Sequence, residues 1–248
     1  MRHSKLKTTF SLSILLTVLM GSASAYEAPH AKLAPVIDGI ANDPAWQHAE
    51  WEAIDELTIG ENLSDDDFSG RFKVVWTSKK IFILGEIVDD VLIDTHADPL
   101  EQYWDDDTFE IFIDEDKSGG KHLDNYNAFA YHLSLDNQAI DFSTLGKPRA
   151  LNDHVISTWK RDSQKPNKIY WEASFDIYPD TFKDIDNTAV PVTLTAGKVL
   201  GFMVAYCDSD GMNGREHFIG SHAIEPVNGD KNLGYIDASV FDSLTLVK

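Results

Sequence analysis

Apolar and polar residues alternate with a period of two over many short stretches of this chain, and the longer period of an amphipathic helix is nearly absent. Phe72–Thr77 and Ile81–Val88 flank Ser78-Lys79-Lys80 and read as a hairpin. The same alternation predicts strands over Thr108–Asp114, Ala128–Leu135, Ala139–Phe142, Val155–Lys160, Lys168–Ile177, Val199–Tyr206 and Ser243–Val247. Turn residues separate them, among them Ser118-Gly119-Gly120, Asp136-Asn137, Lys165-Pro166-Asn167, Asp210-Gly211 and Asn228-Gly229. Many short strands joined by polar turns predict an all-β fold, an antiparallel β-sandwich of immunoglobulin or jelly-roll type. One short helix is expected over Pro44–Glu50, with Asp43 as N-cap and Pro44 where a missing N–H costs nothing. A second is expected over Tyr178–Ile185.

The Thr108–Asp114 strand divides by face. Phe109, Ile111 and Ile113 point to the core, while Glu110, Phe112 and Asp114 point to the outer face of the sheet. Trp104 stands just ahead, beside the acidic run Asp105-Asp106-Asp107. An indole next to a carboxylate suits a sugar, because the ring stacks on pyranose C–H groups while the carboxylate accepts from hydroxyls. A tryptophan at a strand mouth is also ordinary packing, so the residues alone leave both readings open.

The N-terminus bears on location. Arg2, Lys5 and Lys7 precede the apolar run Phe10–Met20, and Ala23-Ser24-Ala25 follows as a small-residue cleavage pattern. Residues 1–25 are therefore expected to be a cleaved signal peptide, giving a secreted or periplasmic protein with no membrane attachment. The remaining 223 residues, 26–248, are expected to form one domain. Loss of the three leader cations moves the net charge from −20 to −23. Such a surface repels nucleic acid and suits neutral ligands and divalent cations. The single Cys207 excludes an intramolecular disulfide, so the core, with a bound metal, must hold the fold. A monomer is the expected state.

Several segments, in order, resemble the family 9 carbohydrate-binding modules. Pro35-Val36-Ile37-Asp38-Gly39 with Asn42-Asp43-Pro44-Ala45-Trp46 is similar to the family's opening V-x-G-x-x-(D/E)-x-x-W. Trp104-(x)2-Asp107-Thr108-Phe109-Glu110-Ile111-Phe112-Ile113-Asp114 resembles its core W-x-x-D-(S/T)-(V/F)-E-(I/V)-F-(I/V)-D. Val75-Trp76, Val88-Asp89-Asp90, Trp171–Phe175, Gly201–Val204 and Asp208-Ser209-Asp210 match further pieces, and Asn232–Ser239 resembles the segment N-x-x-W-x-D. The resemblance implies a calcium-containing sandwich that grips mono- or oligosaccharides, or polysaccharide ends, between two aromatic side chains without transforming them. Carried over residue by residue, it implies Trp104 and Tyr235 as the aromatic pair, with Glu110 and Asn232 binding hydroxyls. One departure stands out: where sugar-binding members carry an arginine, this chain has Ala130. His132 is the expected compensating contact.

Calcium is expected from the resemblance and from the carboxylate-rich loops, with Asp89, Asp90, Asp208 and Asp210 as candidate ligands. Asp208–Asn213 is not an EF-hand loop, since Gly211 comes two positions early and Ile219 holds the twelfth place. Two other classes stay open. Glu86, Glu110, Asp114 and Glu172 could be offered as glycosidase carboxyls, although no catalytic motif is present and a role as an accessory to a polysaccharide hydrolase is the more economical form of that reading. Related sandwiches can hold a b-type haem, for which Met203 with His132, His154, His217 or His222 are the available ligands.

Overall fold

The computed structural model describes residues 25–185, 188–211 and 214–248, so the expected leader lies, but for Ala25, outside the described residues. The strands are β1 (Ala25–Pro29), β2 (Glu52–Ile54), β3 (Glu56–Ile59), β4 (Phe68–Trp76), β5 (Lys80–Asp89), β6 (Thr108–Asp114) and β7 (Phe129–Ser134). They continue with β8 (Ala139–Phe142), β9 (Pro148–Ala150), β10 (Val155–Arg161), β11 (Lys168–Asp176), β12 (Val199–Asp208), β13 (His217–Gly220) and β14 (Asp242–Val247). One sheet runs β1-β14-β12-β6-β7-β8-β9, and the other β10-β11-β5-β4-β2. β12 pairs along one edge with β6, while its other edge is shared between β14 and β13, which continues to β3. Strand pairing is antiparallel except between β1 and β14, which run parallel from Ala25↔Ser243 to Pro29↔Val247.

The core lies between the sheets. Phe72, Phe109, Trp171, Phe175, Phe202 and Tyr206 are fully buried there, each contributing on the order of 1.5–3 kcal/mol by leaving water. Phe109, Ile111 and Ile113 point into this layer as the alternation predicts, and Phe112 points away. The outer face of the first sheet is itself covered. Phe112, Ala130, Met203, Ala205 and Cys207 pack against Phe218, Ile224, Ala238 and Phe241, which β13 and the segment before β14 bring over them. On the outer face of the second sheet, Glu172 fastens the segment that precedes β2. Its carboxylate accepts from the backbone N–H groups of Asp38 (3.0 Å) and Gly39 (2.9 Å) and from Trp46 Nε1 (3.0 Å).

The expected strands all form: β6 and β8 have the expected bounds, β10, β12 and β14 run one or two residues further at one end, β5 gains one at each end, β4 begins four residues earlier and ends one sooner, and β7 and β11 are slightly shorter. β1, β2, β3, β9 and β13 were not foreseen, being short or lacking clean alternation. Pro44–His48 is a 3-10 turn and not an α-helix; Asp43 stands at its N-cap, yet Asp43 Oδ2 accepts from Val36 N at 3.3 Å and not from the turn. Tyr178–Ile185 is not a helix. Tyr178 stacks on His154 at 4.2 Å and Phe182 packs edge-on against it at 4.6 Å, so the aromatic spacing there serves a buried cluster reached by irregular chain. Among the described residues no helix is long and apolar enough to cross a membrane.

Candidate functional site

A cavity of about 350 Å³ opens on the covered face of the first sheet, between the loop ahead of β6 and the segment ahead of β14. Trp104, Glu110, His132, Asn232 and Tyr235, all singled out in the sequence, line it together. Trp104 and Tyr235 are 40% and 43% exposed, large rings held in water at the cavity's mouth. Tyr103 also lines the wall, packing edge-on against Trp104 at 5.0 Å and against His132 at 4.6 Å. Phe112, Phe142 and Phe218 add apolar lining.

Glu110 keeps its expected face but not its expected exposure. It is 1% exposed, because the covering layer closes over it. Its Oε1 accepts from His132 Nε2 at 3.1 Å and from the Cys207 thiol at 2.7 Å, so Oε2 takes neither bond. His132 Nδ1 faces the Ala130 carbonyl at 3.0 Å, so both ring nitrogens have acceptors, as an imidazolium requires. Burial works to raise the Glu110 carboxyl, yet the His132 charge and hydrogen bond, with Arg215 behind them, hold it below the usual carboxylate range. Burial likewise opposes the His132 charge, and Glu110 outweighs it, raising the imidazole above its ordinary value. Burial pushes the Cys207 thiol well up, so it is a neutral donor and no nucleophile.

Arg215 was not anticipated. It reaches the cavity from the turn ahead of β13, its Nη1 donating to Cys207 Sγ at 3.2 Å and its guanidinium lying 4.8 Å from the Phe218 ring centroid. No ion pair among the described residues engages it. Ala130 pairs with Phe112 across β6 and β7 beneath the covering layer, while the guanidinium of Arg215 reaches the cavity from a different element. The one sequence signal was a lone cation among the acids of 208–216.

The Tyr235 segment is held by the glycine turn after β6. Ala238 N donates to Gly120 O at 2.8 Å, His122 N to Ile236 O at 3.1 Å, and His122 Nε2 to Gly234 O at 2.8 Å. Gly120 has φ +88°, a conformation other residues rarely adopt, and its N–H donates to Ser239 Oγ at 2.7 Å. Asn232 is fixed through its N–H to Asp230 Oδ1 at 2.8 Å.

A second cluster sits at one end of the sandwich, where both sheets contribute. Asp89 closes β5, Asp107 precedes β6 and Asp208 closes β12, and an oxygen of each lies within 4.8 Å of the others. All three are buried. Asp89 accepts from Tyr206 Oη (2.7 Å) and Val91 N (3.0 Å), Asp107 from Ser209 N (2.9 Å), and Asp208 Oδ2 meets His217 Nδ1 (2.8 Å). Asp208 Oδ1 is buried without a partner. Burial pushes Asp107 up to about 9, Asp89 to about 7 and Asp208 to about 6, reinforced for the first two by repulsion within the group and for Asp208 by Asp67 and Asp210. Of the four carboxylates expected as metal ligands, Asp89 and Asp208 share this buried group. Asp90 and Asp210 fall instead into a more exposed group with Asp67, because their side chains leave the strand ends toward solvent. Met212 and Asn213 of the Asp208–Asn213 loop lie outside the described residues.

The other readings meet different surroundings. Of the four carboxylates offered for hydrolysis, Glu110 alone lines the cavity; Glu86 is held by Arg71 and Lys168, Glu172 by three N–H donors, and Asp114 Oδ2 accepts from Gly119 N. Met203 is buried among apolar side chains, while His132, His154, His217 and His222 bond to Glu110, Tyr131, Asp208 and the Val240 carbonyl.

Comparison with known proteins bears on the fold and the family. A family 9 binding module from Caldicellulosiruptor kristjanssonii, solved with cellotriose, superposes with TM-score 0.65 at 18% identity, covering 90% of this chain and 94% of that one. Its glucose complex gives TM-score 0.63 over 89% and 95%. By sequence, the exoglucanase XynX of Acetivibrio thermocellus is 26% identical over 105 residues, which are 42% of this chain and 9% of that protein. The endo-1,4-beta-xylanase A of Thermoanaerobacterium saccharolyticum is 26% identical over 117 residues, 47% and 9% respectively. The chain thus matches only a small part of either enzyme. The model of the family described as carbohydrate family 9 binding domain-like matches residues 37–248, and the chain belongs to that family.

Proposed function

We propose that this chain binds a neutral sugar ring in the cavity between Trp104 and Tyr235 and leaves it chemically unchanged. The observation that carries the reading is convergence: four separate stretches of sequence bring two exposed rings, the Glu110–His132 pair, Asn232 and Arg215 to one cavity. The rings stack on the C–H faces of the sugar. Glu110 Oε2 accepts from a hydroxyl, Arg215 donates to a ring or hydroxyl oxygen, and Asn232 does either. A volume of about 350 Å³ suits one or two rings of a glycan end. The test is calorimetry of the chain with glucose, cellotriose and xylo-oligosaccharides. Heat of binding that disappears in Trp104→Ala supports it, and no heat with any sugar overturns it.

Calcium belongs to the same proposal. Asp89, Asp107 and Asp208 fit it, being hard oxygen donors forced together out of water with one oxygen unpartnered, and a divalent cation there would reverse the upward push on the three carboxyls. Export is proposed from the basic and apolar N-terminus with its Ala23-Ser24-Ala25 pattern. A mature protein whose mass begins at Tyr26 supports it; one retaining Phe10–Met20 sinks it. A role beside polysaccharide hydrolysis is the second reading, favoured by the matches within a xylanase and an exoglucanase.

A further inference from the structure

The second sheet carries a larger cleft, about 630 Å³, on the opposite side of the sandwich from the sugar cavity. Its lining is basic. Lys160, Arg161, Lys165 and Lys168 contribute four cations against the single carboxylate of Asp162, within nine residues of a chain that has 41 acids to 21 bases. Asp162 Oδ1 is already occupied by the N–H groups of Gln164 (2.7 Å) and Lys165 (3.2 Å). Among the described residues no ion pair engages Lys160, Arg161 or Lys165, although acids are abundant.

The strand register extends the feature across the sheet. Lys160, Tyr170, Glu86 and Arg71 lie opposite one another on β10, β11, β5 and β4, forming one row on the outer face. The only acid in that row, Glu86, is shared by Arg71 at 2.8 Å and Lys168 at 2.9 Å, so cations remain in excess. Tyr170 supplies a ring in the cleft wall, and Asn42 and Gln164 supply amides.

We propose that this cleft is a second saccharide site, specific for chains bearing carboxylates, that is, uronic acid polymers. Exposed ammonium and guanidinium groups meet the carboxylates, while the tyrosine ring and amides meet sugar faces and hydroxyls, a combination that a bare anion does not use. The cleft is independent of the Trp104 cavity and on the other sheet. Engagement of both by one polysaccharide raises the effective concentration at the second site.

The test is calorimetry of the full chain with a galacturonic acid oligomer, cellotriose and inorganic phosphate, at low and at physiological salt. The oligomer binds the wild type, more weakly as salt rises, and K160E/K165E lowers that affinity at least about tenfold without changing the response to cellotriose. The charge-neutral K160Q/K165Q, checked for an unchanged melting temperature, gives a smaller loss of the same kind. Trp104→Ala spares the oligomer. No binding of the oligomer at low salt overturns the proposal, as does loss through Trp104→Ala but not through K160E/K165E. Phosphate binding as tight as the oligomer's also overturns it, leaving a patch without sugar selectivity.

Discussion

Glu110 and His132 face each other across β6 and β7, with Oε1 and Nε2 3.1 Å apart beneath the two exposed rings. The raised imidazole keeps its contribution at low pH and loses it as pH rises through a value above 6.5. The lowered carboxyl keeps its own above 4.5 and loses it as pH falls below that. The pair therefore contributes most between these limits. Glu110→Gln is expected to cost about 1–3 kcal/mol of folding stability at pH 6 and less at pH 9, since the imidazole's contribution falls as pH rises. Urea denaturation at the two pH values checks this, and an equal cost at both contradicts it.

Trp104 and Tyr235 are exposed and contribute little to the core, so replacing either with alanine is expected to leave the melting temperature nearly unchanged. Loss of a stacking face should weaken cellotriose binding by about 1–3 kcal/mol, roughly 5- to 150-fold. Calorimetry and a thermal melt on the same samples separate the two effects.

Among the described residues Arg215 donates only to a thiol and lies over a ring face, with the charges of Glu110 and Asp105 nearby, so it keeps N–H groups for a ligand. Arg215→Ala is expected to weaken sugar binding about 10- to 100-fold, in line with losing charge-assisted hydrogen bonds worth about 1.5–3 kcal/mol. Arg215→Lys should recover only part of this, because an ammonium lacks the planar fork. Full recovery by lysine would mean that charge alone matters.

The buried triad Asp89, Asp107 and Asp208 makes stability depend on calcium in the proposed reading. A chelator is expected to lower the melting temperature, and calcium to restore it by an amount that grows with concentration. Asp107→Asn should abolish the calcium response. A melting temperature indifferent to both chelator and calcium removes the metal from the account.

His154 gives a separate acid sensitivity. It is buried, with Nδ1 against Tyr131 Oη at 2.9 Å and Nε2 unpartnered, and burial pushes its imidazole down to about 4. The unfolded chain takes up a proton near 6.5 while the folded chain does not, so stability falls as pH drops from about 6.5 to about 4. The loss reaches on the order of 3 kcal/mol. His154→Gln should flatten that slope by about one proton, measured as the change in unfolding free energy between pH 7 and pH 4.5.

The site was legible in the sequence where local pattern fixes it. Alternation along Thr108–Asp114 placed Glu110 on the outer face, and adjacency placed Trp104 beside it. Tyr235 and Asn232 were reached through the family resemblance. Arg215 was not legible, because only the splitting of the β12 edge between β14 and β13 swings its turn over β6. The burial of Glu110 escaped for the same reason: a covering layer is a long-range arrangement that leaves no periodicity in the strand it covers. Among the acids, position in sequence did not separate Asp89 from Asp90, whereas the strand end sends one inward and the other to solvent. The helix expected over Tyr178–Ile185 does not form because Tyr178 and Phe182 join a buried aromatic cluster around His154 that irregular chain reaches.

The parallel pairing of β1 with β14 has a mechanical consequence. Tyr26 lies beside Leu244 and Pro29 beside Val247, so a pull applied between residue 26 and residue 248 slides the two strands past each other. The hydrogen bonds of that ladder then share the load together instead of opening one after another. A domain loaded between these two positions is in this way built to resist being drawn apart.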